Sequence, residues 1–260
     1  MTARLVHATR VLAAERRGSS WPVIVDAASR RWFAKLRGAA QGPAALVAEI
    51  VVAALADAIG LRVPTRQLLW LGRDVPSDDP HQELRDLLRA SAGVNLGFEL
   101  LAGARELTAD DVAAFDTDLA SQIVWLDGLV LNPDRTPENP NILVRDGEAW
   151  LIDHGAALGF QHAWHAVTEE APRRHAARPH VLAERATRVA HWDPLLAARL
   201  PRETVAAAVA AAPDELLAPL LPPGASAAAL ERRRAAYVAF LWKRLRAPRP
   251  FVGGTTVASS

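Results

Sequence analysis

The stretch from Leu131 to Gly155 constrains this chain more than any other. It reads Leu131-Asn-Pro-Asp-Arg-Thr-Pro-Glu-Asn-Pro-Asn141, then two apolar runs, Ile142–Val144 and Ala149–Ile152, around Arg145-Asp-Gly-Glu148, and it ends on Asp153-His-Gly155. Asp-Gly between short apolar runs is the signature of a two-residue β-turn. A hairpin closed at Asp146-Gly147 pairs residues whose numbers sum to 293. Asn141 then faces Ile152, and Asp153 faces Pro140, so the hairpin delivers Asp153 to the Asn-rich loop that carries Asp134. Two carboxylates and two amide oxygens converge at one end of a rigid unit, with Gly155 permitting a sharp exit. Oxygen-rich ligation of that kind suits Mg²⁺, which takes one or two carboxylates together with substrate phosphates. The same residues are also strong turn formers, and a merely polar loop is the competing reading.

Composition narrows the classes. The chain has 260 residues, half of them apolar, 23% charged, with 18 Pro and 15 Gly. That is a globular composition, long enough to bury roughly three-quarters of its surface. The absence of Cys excludes disulfides, a thiolate nucleophile and Cys-ligated zinc or iron–sulfur centres, and a net charge of +1 supplies no global attraction to nucleic acid or anionic lipid. The first residues lack the apolar core of a secretory signal. The most apolar stretch, 43–61, is interrupted by Glu49 and Asp57, which makes it a poor bilayer span. A cytoplasmic location is the expectation. Of the 30 basic residues only Lys35 and Lys243 are Lys, and three of the four Asn are Asn132, Asn139 and Asn141. In an Ala- and Arg-rich chain, residues that persist against the bias point to specific positions.

The chain divides at Gly72–His81, dense in turn formers. Before it, Val11-Leu12, Pro22–Asp26, Arg31–Leu36 and Gln67–Leu71 read as strands, with a helix from Pro43 to Ala58 that stops at Gly60. After it, the pattern is helical over 81–91, over 108–131 and in several segments from 180 to 246, interrupted by the hairpin. The expected organisation is a strand-rich unit at 1–72, a linker at 73–81, a mainly helical unit at 82–252 and a frayed tail at 253–260. No internal repeat is present.

Lys35 lies in a strand and Glu49 in the helix that follows. A strand Lys held by a helix Glu is the arrangement by which kinases orient nucleotide phosphates. Between two strands, Gly18, Ser19 and Ser20 form a loop whose backbone N–H groups suit phosphate, although most Gly-Ser turns are only turns. Lys, Glu, an Asp loop with Asn, and an Asp after a hairpin, in that order, resemble the HipA-like kinase family, within the wider protein-kinase and phosphoinositide-kinase-like fold. The resemblance rests on Trp32-Phe-Ala-Lys35-Leu, Gln41-Gly-Pro followed by Glu49, Gly60-Leu-Arg-Val-Pro64, Trp125-Leu-Asp127, Asn132-Pro-Asp-Arg135, Asn139-Pro-Asn-Ile-Leu-Val144 and Leu151-Ile-Asp-His-Gly155. It covers about residues 9–160.

That resemblance implies an α+β, two-lobed kinase fold with a small β-rich N-lobe, a larger helical C-lobe, and ATP and Mg²⁺ between them. It makes Lys35 the phosphate contact, with the Gly18–Ser20 loop beside it, and Glu49 the partner of Lys35. Asp134 becomes the base or hydroxyl-orienting residue, and Asp153 a metal ligand. Family spacing of five residues after the base selects Asn139 as the second ligand, whereas position immediately before the strand selects Asn141. The implied activity is phosphotransfer from ATP to an alcohol group, with a Ser/Thr hydroxyl of a protein as the acceptor and no nucleic-acid or membrane partner.

Other readings compete. His154, His162 and His165 with Asp153 suggest a metallohydrolase, a nucleotide-binding pseudokinase would keep the same residues, and a small-molecule kinase would share the fold. Asp127 either braces the Asp134 loop or caps a helix. Arg135 either binds substrate phosphate or pairs with Glu138. Arg232–Arg234 and Lys243–Arg246 read as the solvated basic face of an amphipathic helix, and the eight Trp as packing residues.

Overall fold

The computed structural model of the chain describes residues 5–14, 22–39, 42–175 and 178–252. Its first half is a closed five-stranded barrel in the order β1-β2-β3-β5-β4. The strands are β1 (Val6–Ala14), β2 (Val23–Ala27), β3 (Arg30–Lys35), β4 (Arg66–Leu71) and β5 (Gly93–Glu99). All neighbours are antiparallel except β1 and β4, whose parallel pairing closes the barrel. β2 alternates buried and half-buried positions, the two-residue period of a strand with one face in a core. Val11, Val23, Val25, Trp32, Leu69 and Leu71 fill the interior.

The helix α1 (Gly42–Ile59) leaves the barrel after β3. It ends in a paired cap: Leu61 N–H donates to Ala56 O at 3.0 Å and Gly60 N–H to Asp57 O at 3.1 Å. Gly60 adopts a φ of 92°, the left-handed turn this cap requires. By length and composition α1 could cross a membrane, yet 67% of its 18-residue window is buried in the fold. It packs on two helices from the far end of the chain.

The boundary expected at 73–81 is not where the barrel ends. Val11 N–H donates to Pro76 O and Asp78 N–H to Val11 O, at 2.8 and 2.9 Å, so the segment runs alongside β1. The helix α2 (Gln82–Ala90) then returns Leu84 and Leu88 to the barrel core, and β5 pairs with both β3 and β4. The barrel therefore extends to Glu99. The strand β5 was not expected because Gly93 and Gly97 weaken its pattern; at Gly97 a Cβ would lie 2.6 Å from Leu69 Cδ1 and 3.1 Å from Trp32 Cβ, so glycine relieves the close packing there.

The second half is mainly helical: α3 (Ala109–Ala113), α4 (Thr117–Val130), α5 (Val189–Ala198), α6 (Arg202–Ala210), α7 (Asp214–Leu217) and α8 (Ala227–Leu245). The single helix expected over 108–131 is two. Thr108 and Asp111 form a capping box at α3, and the Asp116 carboxylate accepts from Leu119 N at 2.7 Å to start α4 afresh. A small sheet of β6 (Arg105–Glu106), β7 (Ile142–Arg145) and β8 (Glu148–Leu151) lies against these helices. Arg244, expected on a solvated face of α8, is instead fully buried. It donates to the carbonyls of Gly128, Leu129, Pro172 and Arg174, and burial lowers its pKa to about 10. It thereby ties α8 to the C-terminal end of α4, just before the Asn132–Asn141 loop.

Candidate active site

Three distant elements meet at Lys35. It closes β3, whose alternation leaves it half-buried. Its ammonium donates to Glu49 Oε1 on α1 and, at 2.6 Å, to Asp153 Oδ1 beyond β8. Glu49 is completely buried, Lys35 is 11% exposed and Asp153 is 44% exposed, so the cluster is closed on the α1 side and open at Asp153. Burial alone would lower the Lys35 pKa, but the charges of Glu49 and Asp153 outweigh it and hold it above the ordinary value. Burial pushes the Glu49 carboxyl up, against the Lys35 charge. For Asp153 the balance is reversed: burial raises it, and the Lys35 ammonium more than offsets that, leaving it below the usual carboxylate range. Asp153 is thus an anion held by a cation at the rim.

The hairpin forms in the expected register. Ile142 pairs with Leu151, Leu143 with Trp150, Val144 with Ala149 and Arg145 with Glu148. Asp146 and Gly147 have φ of 52° and 78°, as the turn requires. One further bond, Ile152 N to Asn141 O at 3.1 Å, extends the ladder to the end that matters. There both chains turn: Asn141 and Asp153 have φ of 49° and 55°. Asn and Asp are the non-glycine residues that best tolerate this left-handed region.

Asn141 Nδ2 donates to Asp134 O at 3.1 Å and to Asp134 Oδ2 at 3.3 Å. Asp134 N–H donates to Asn132 Oδ1 at 3.1 Å. Asn139 does not join them. It closes a turn with Thr136 by backbone bonds of 3.1 and 3.2 Å, and its side chain is exposed. Of the two asparagines that sequence left open, only Asn141 touches the cluster. Gly18, Ser19 and Ser20 lie outside the described residues.

Beneath the loop is a buried polar chain. Asp127 accepts from Asn132 Nδ2 at 2.8 Å, from Arg135 Nε at 2.6 Å and from His180 Nε2 at 3.0 Å. Burial would raise its pKa, and the Arg135 guanidinium overrides this, holding it well below the ordinary value. Arg135 is buried, which closes it to substrate phosphate, and it turns to Asp127 instead of Glu138; it also donates to Asn141 O, and its far nitrogen lies 3.4 Å from His154 Nδ1. His154 is buried and its pKa is lowered to about 3, by desolvation first and by the Arg135 charge second, so it is neutral. Asp127 therefore braces the loop. Sequence offered no signal for His180, which comes from a stretch without motifs 53 residues away.

His154 faces Arg135 rather than His162 or His165. Among the described residues no three His, Asp or Glu side chains converge to hold a metal ion, which removes the geometric basis of the metallohydrolase reading. The donors present at the hairpin end, one partly exposed carboxylate and one Asn amide whose nitrogen is engaged by Asp134, are hard oxygen ligands. They fit Mg²⁺ of the kind completed by phosphate oxygens and water.

The sequence pattern of the HipA-like kinases matches residues 8–203. The chain belongs to this family. A HipA-like kinase is a phosphotransferase that takes ATP, and the α+β architecture described above, with a β-rich first part and a helical second part, agrees with it. No curated protein matches this HipA-like chain. Among solved structures it resembles a Helicobacter pylori proinflammatory kinase, CtkA, at 10% identity and a TM-score of 0.46, with 90% of this chain and 94% of that chain covered.

Proposed function

We propose that this HipA-like kinase transfers the γ-phosphoryl group of ATP, with Mg²⁺, to a Ser or Thr hydroxyl of a protein. The observation that carries the reading is the convergence of Lys35, Glu49 and Asp153 on one side and of Asp134, Asn132 and Asn141 on the other, joined by the base of one hairpin. Glu49 holds the Lys35 ammonium at the cleft, where it meets nucleotide phosphates. Asp153 and Asn141 would hold the metal ion. When bound, Mg²⁺ neutralises charge on the phosphates of the transferring group. Asp134, oriented by Asn141 and by the Asn132 amide, accepts the proton of the attacking hydroxyl. There is little covalent work for the protein, and positioning and charge carry the catalysis.

The protein acceptor is the finer part of this reading and rests on the family likeness of the Asn132–Arg135 loop. Incubating the protein with Mg²⁺ and radiolabelled ATP, against a Ser/Thr peptide library and a panel of hydroxylated metabolites, separates the acceptor classes. Asp134→Asn is expected to lower transfer by about a hundredfold or more while nucleotide affinity changes little. Transfer undiminished in that variant would remove Asp134 from the chemistry, and ATP binding without transfer to any acceptor would favour a pseudokinase.

A further inference from the structure

His180 approaches the loop from below and from outside the hairpin. Its Nε2 lies 3.0 Å from Asp127 Oδ2, and its Nδ1 accepts the Leu182 backbone N–H at 3.0 Å. The second bond fixes the tautomer: with Nδ1 an acceptor, Nε2 carries the proton and donates to Asp127. The next residue adds a direct bond, Val181 N to Arg135 O at 3.1 Å. The same segment is held further on by Arg185, which donates to Phe115 O at 2.8 and 3.0 Å, and by Arg188 N, which donates to Ser121 Oγ at 3.0 Å. Asp127 in turn grips Asn132 and Arg135, the residues two before and one after Asp134.

We propose that His180 is a positioning residue for the base: by fixing the Asp127 carboxylate it sets the Asn132–Arg135 loop, and through the loop the direction of Asp134. The inference rests on the kinase reading above and deepens it. Arg135 is gripped twice by the 180–182 segment, through Asp127 on its side chain and through Val181 on its carbonyl. Docking of this segment and the aim of Asp134 are therefore one event. The Lys35 ammonium is held by Glu49 and Asp153, outside this segment, so the effect is expected mainly in turnover rather than in the Lys35 contact with nucleotide phosphates.

The chemistry of the two ring nitrogens supplies the test. His180→Gln places an amide N–H near the position of Nε2 and keeps the donor to Asp127. His180→Asn keeps an acceptor near Nδ1 for Leu182 but cannot reach Asp127. In steady-state phosphotransfer with Mg²⁺ and ATP, the Asn variant is expected to lose kcat by about tenfold to a hundredfold with the KM for ATP unchanged, and the Gln variant to stay within about threefold of wild type. Melting temperatures of the two variants serve as the structural control. Equal kcat in both variants, or a loss in the Asn variant that matches its loss of folded protein, would overturn the inference while wild-type turnover stands. Absence of wild-type turnover on every acceptor class would instead overturn the reading beneath it, and the inference with it.

Discussion

Asp127 carries one negative charge and serves three donors, two of them on the loop it supports. Removing that charge leaves the Arg135 guanidinium buried without a counter-ion. Asp127→Asn should therefore destabilise the protein by about 3–5 kcal/mol at neutral pH. The pH dependence has a definite sign. The folded-state pKa of Asp127 lies below its ordinary value of 3.8, so its contribution is present above that value and is lost as pH falls through the folded one. Urea unfolding at pH 7 and at pH 3 should show the gap between wild type and variant narrowing in acid. A gap of constant size would mean that the pair contributes nothing through its charge. At this scale the sequence was informative where a strand or hairpin fixes partners: the hairpin register carries Asp153 to the end where Asn141 meets Asp134, and Lys35 on its strand meets Glu49 on the next helix. It could not decide between Asn139 and Asn141, because the left-handed φ at Asn141 breaks the alternation of the strand. Arg135 was read toward substrate phosphate or Glu138 instead of Asp127, and His180 was hidden because a partner 53 residues distant leaves no local pattern.

Among the elements, those with an uninterrupted period were legible and those built around close approach were not. The helix α1 and the β7–β8 hairpin appear within a residue or two of expectation, because caps and turn residues mark their ends. The strand β5 escaped because the glycine that lets it cross Leu69 and Trp32 is the residue that weakens a strand pattern. Gly128 in α4 is the same device in a helix. Alanine is the better helix former by about 1 kcal/mol. Its Cβ, however, would lie 2.8 Å from Phe251 Cβ and 3.0 Å from Phe251 Cδ2. Overpacking of this kind costs about 1–3 kcal/mol and outweighs the propensity gain. Gly128→Ala is expected to lower stability, and to lower it less in a Phe251→Gly background, where both the Cβ and the ring are gone. A double-mutant cycle in urea measures this coupling, and additive effects would contradict it.

For the molecule as a whole, the ion pair between Lys35 and Asp153 joins residues 118 apart and ties the barrel to the hairpin of the helical part. The helix α1 reinforces the join, with Glu49 at the cluster and its other contacts on α6 and α7. The sequence divided the chain too early, at 73–81, because turn formers mark a loop but do not say whether the following elements return to the same core. Leu84, Leu88 and β5 do return. The site is thus assembled from both parts, and the proposed function requires Asp153 to hold Mg²⁺ with ATP beside Lys35. The most direct test is a thermal shift with ATP, with and without Mg²⁺, on wild type and Asp153→Ala. Ligand at about a hundred times its Kd adds roughly 2.7 kcal/mol, or about 5–11 °C for a protein of this size. The account predicts a shift that needs both Mg²⁺ and Asp153. No shift at millimolar ATP, or an equal shift in the Asp153→Ala variant, would contradict it.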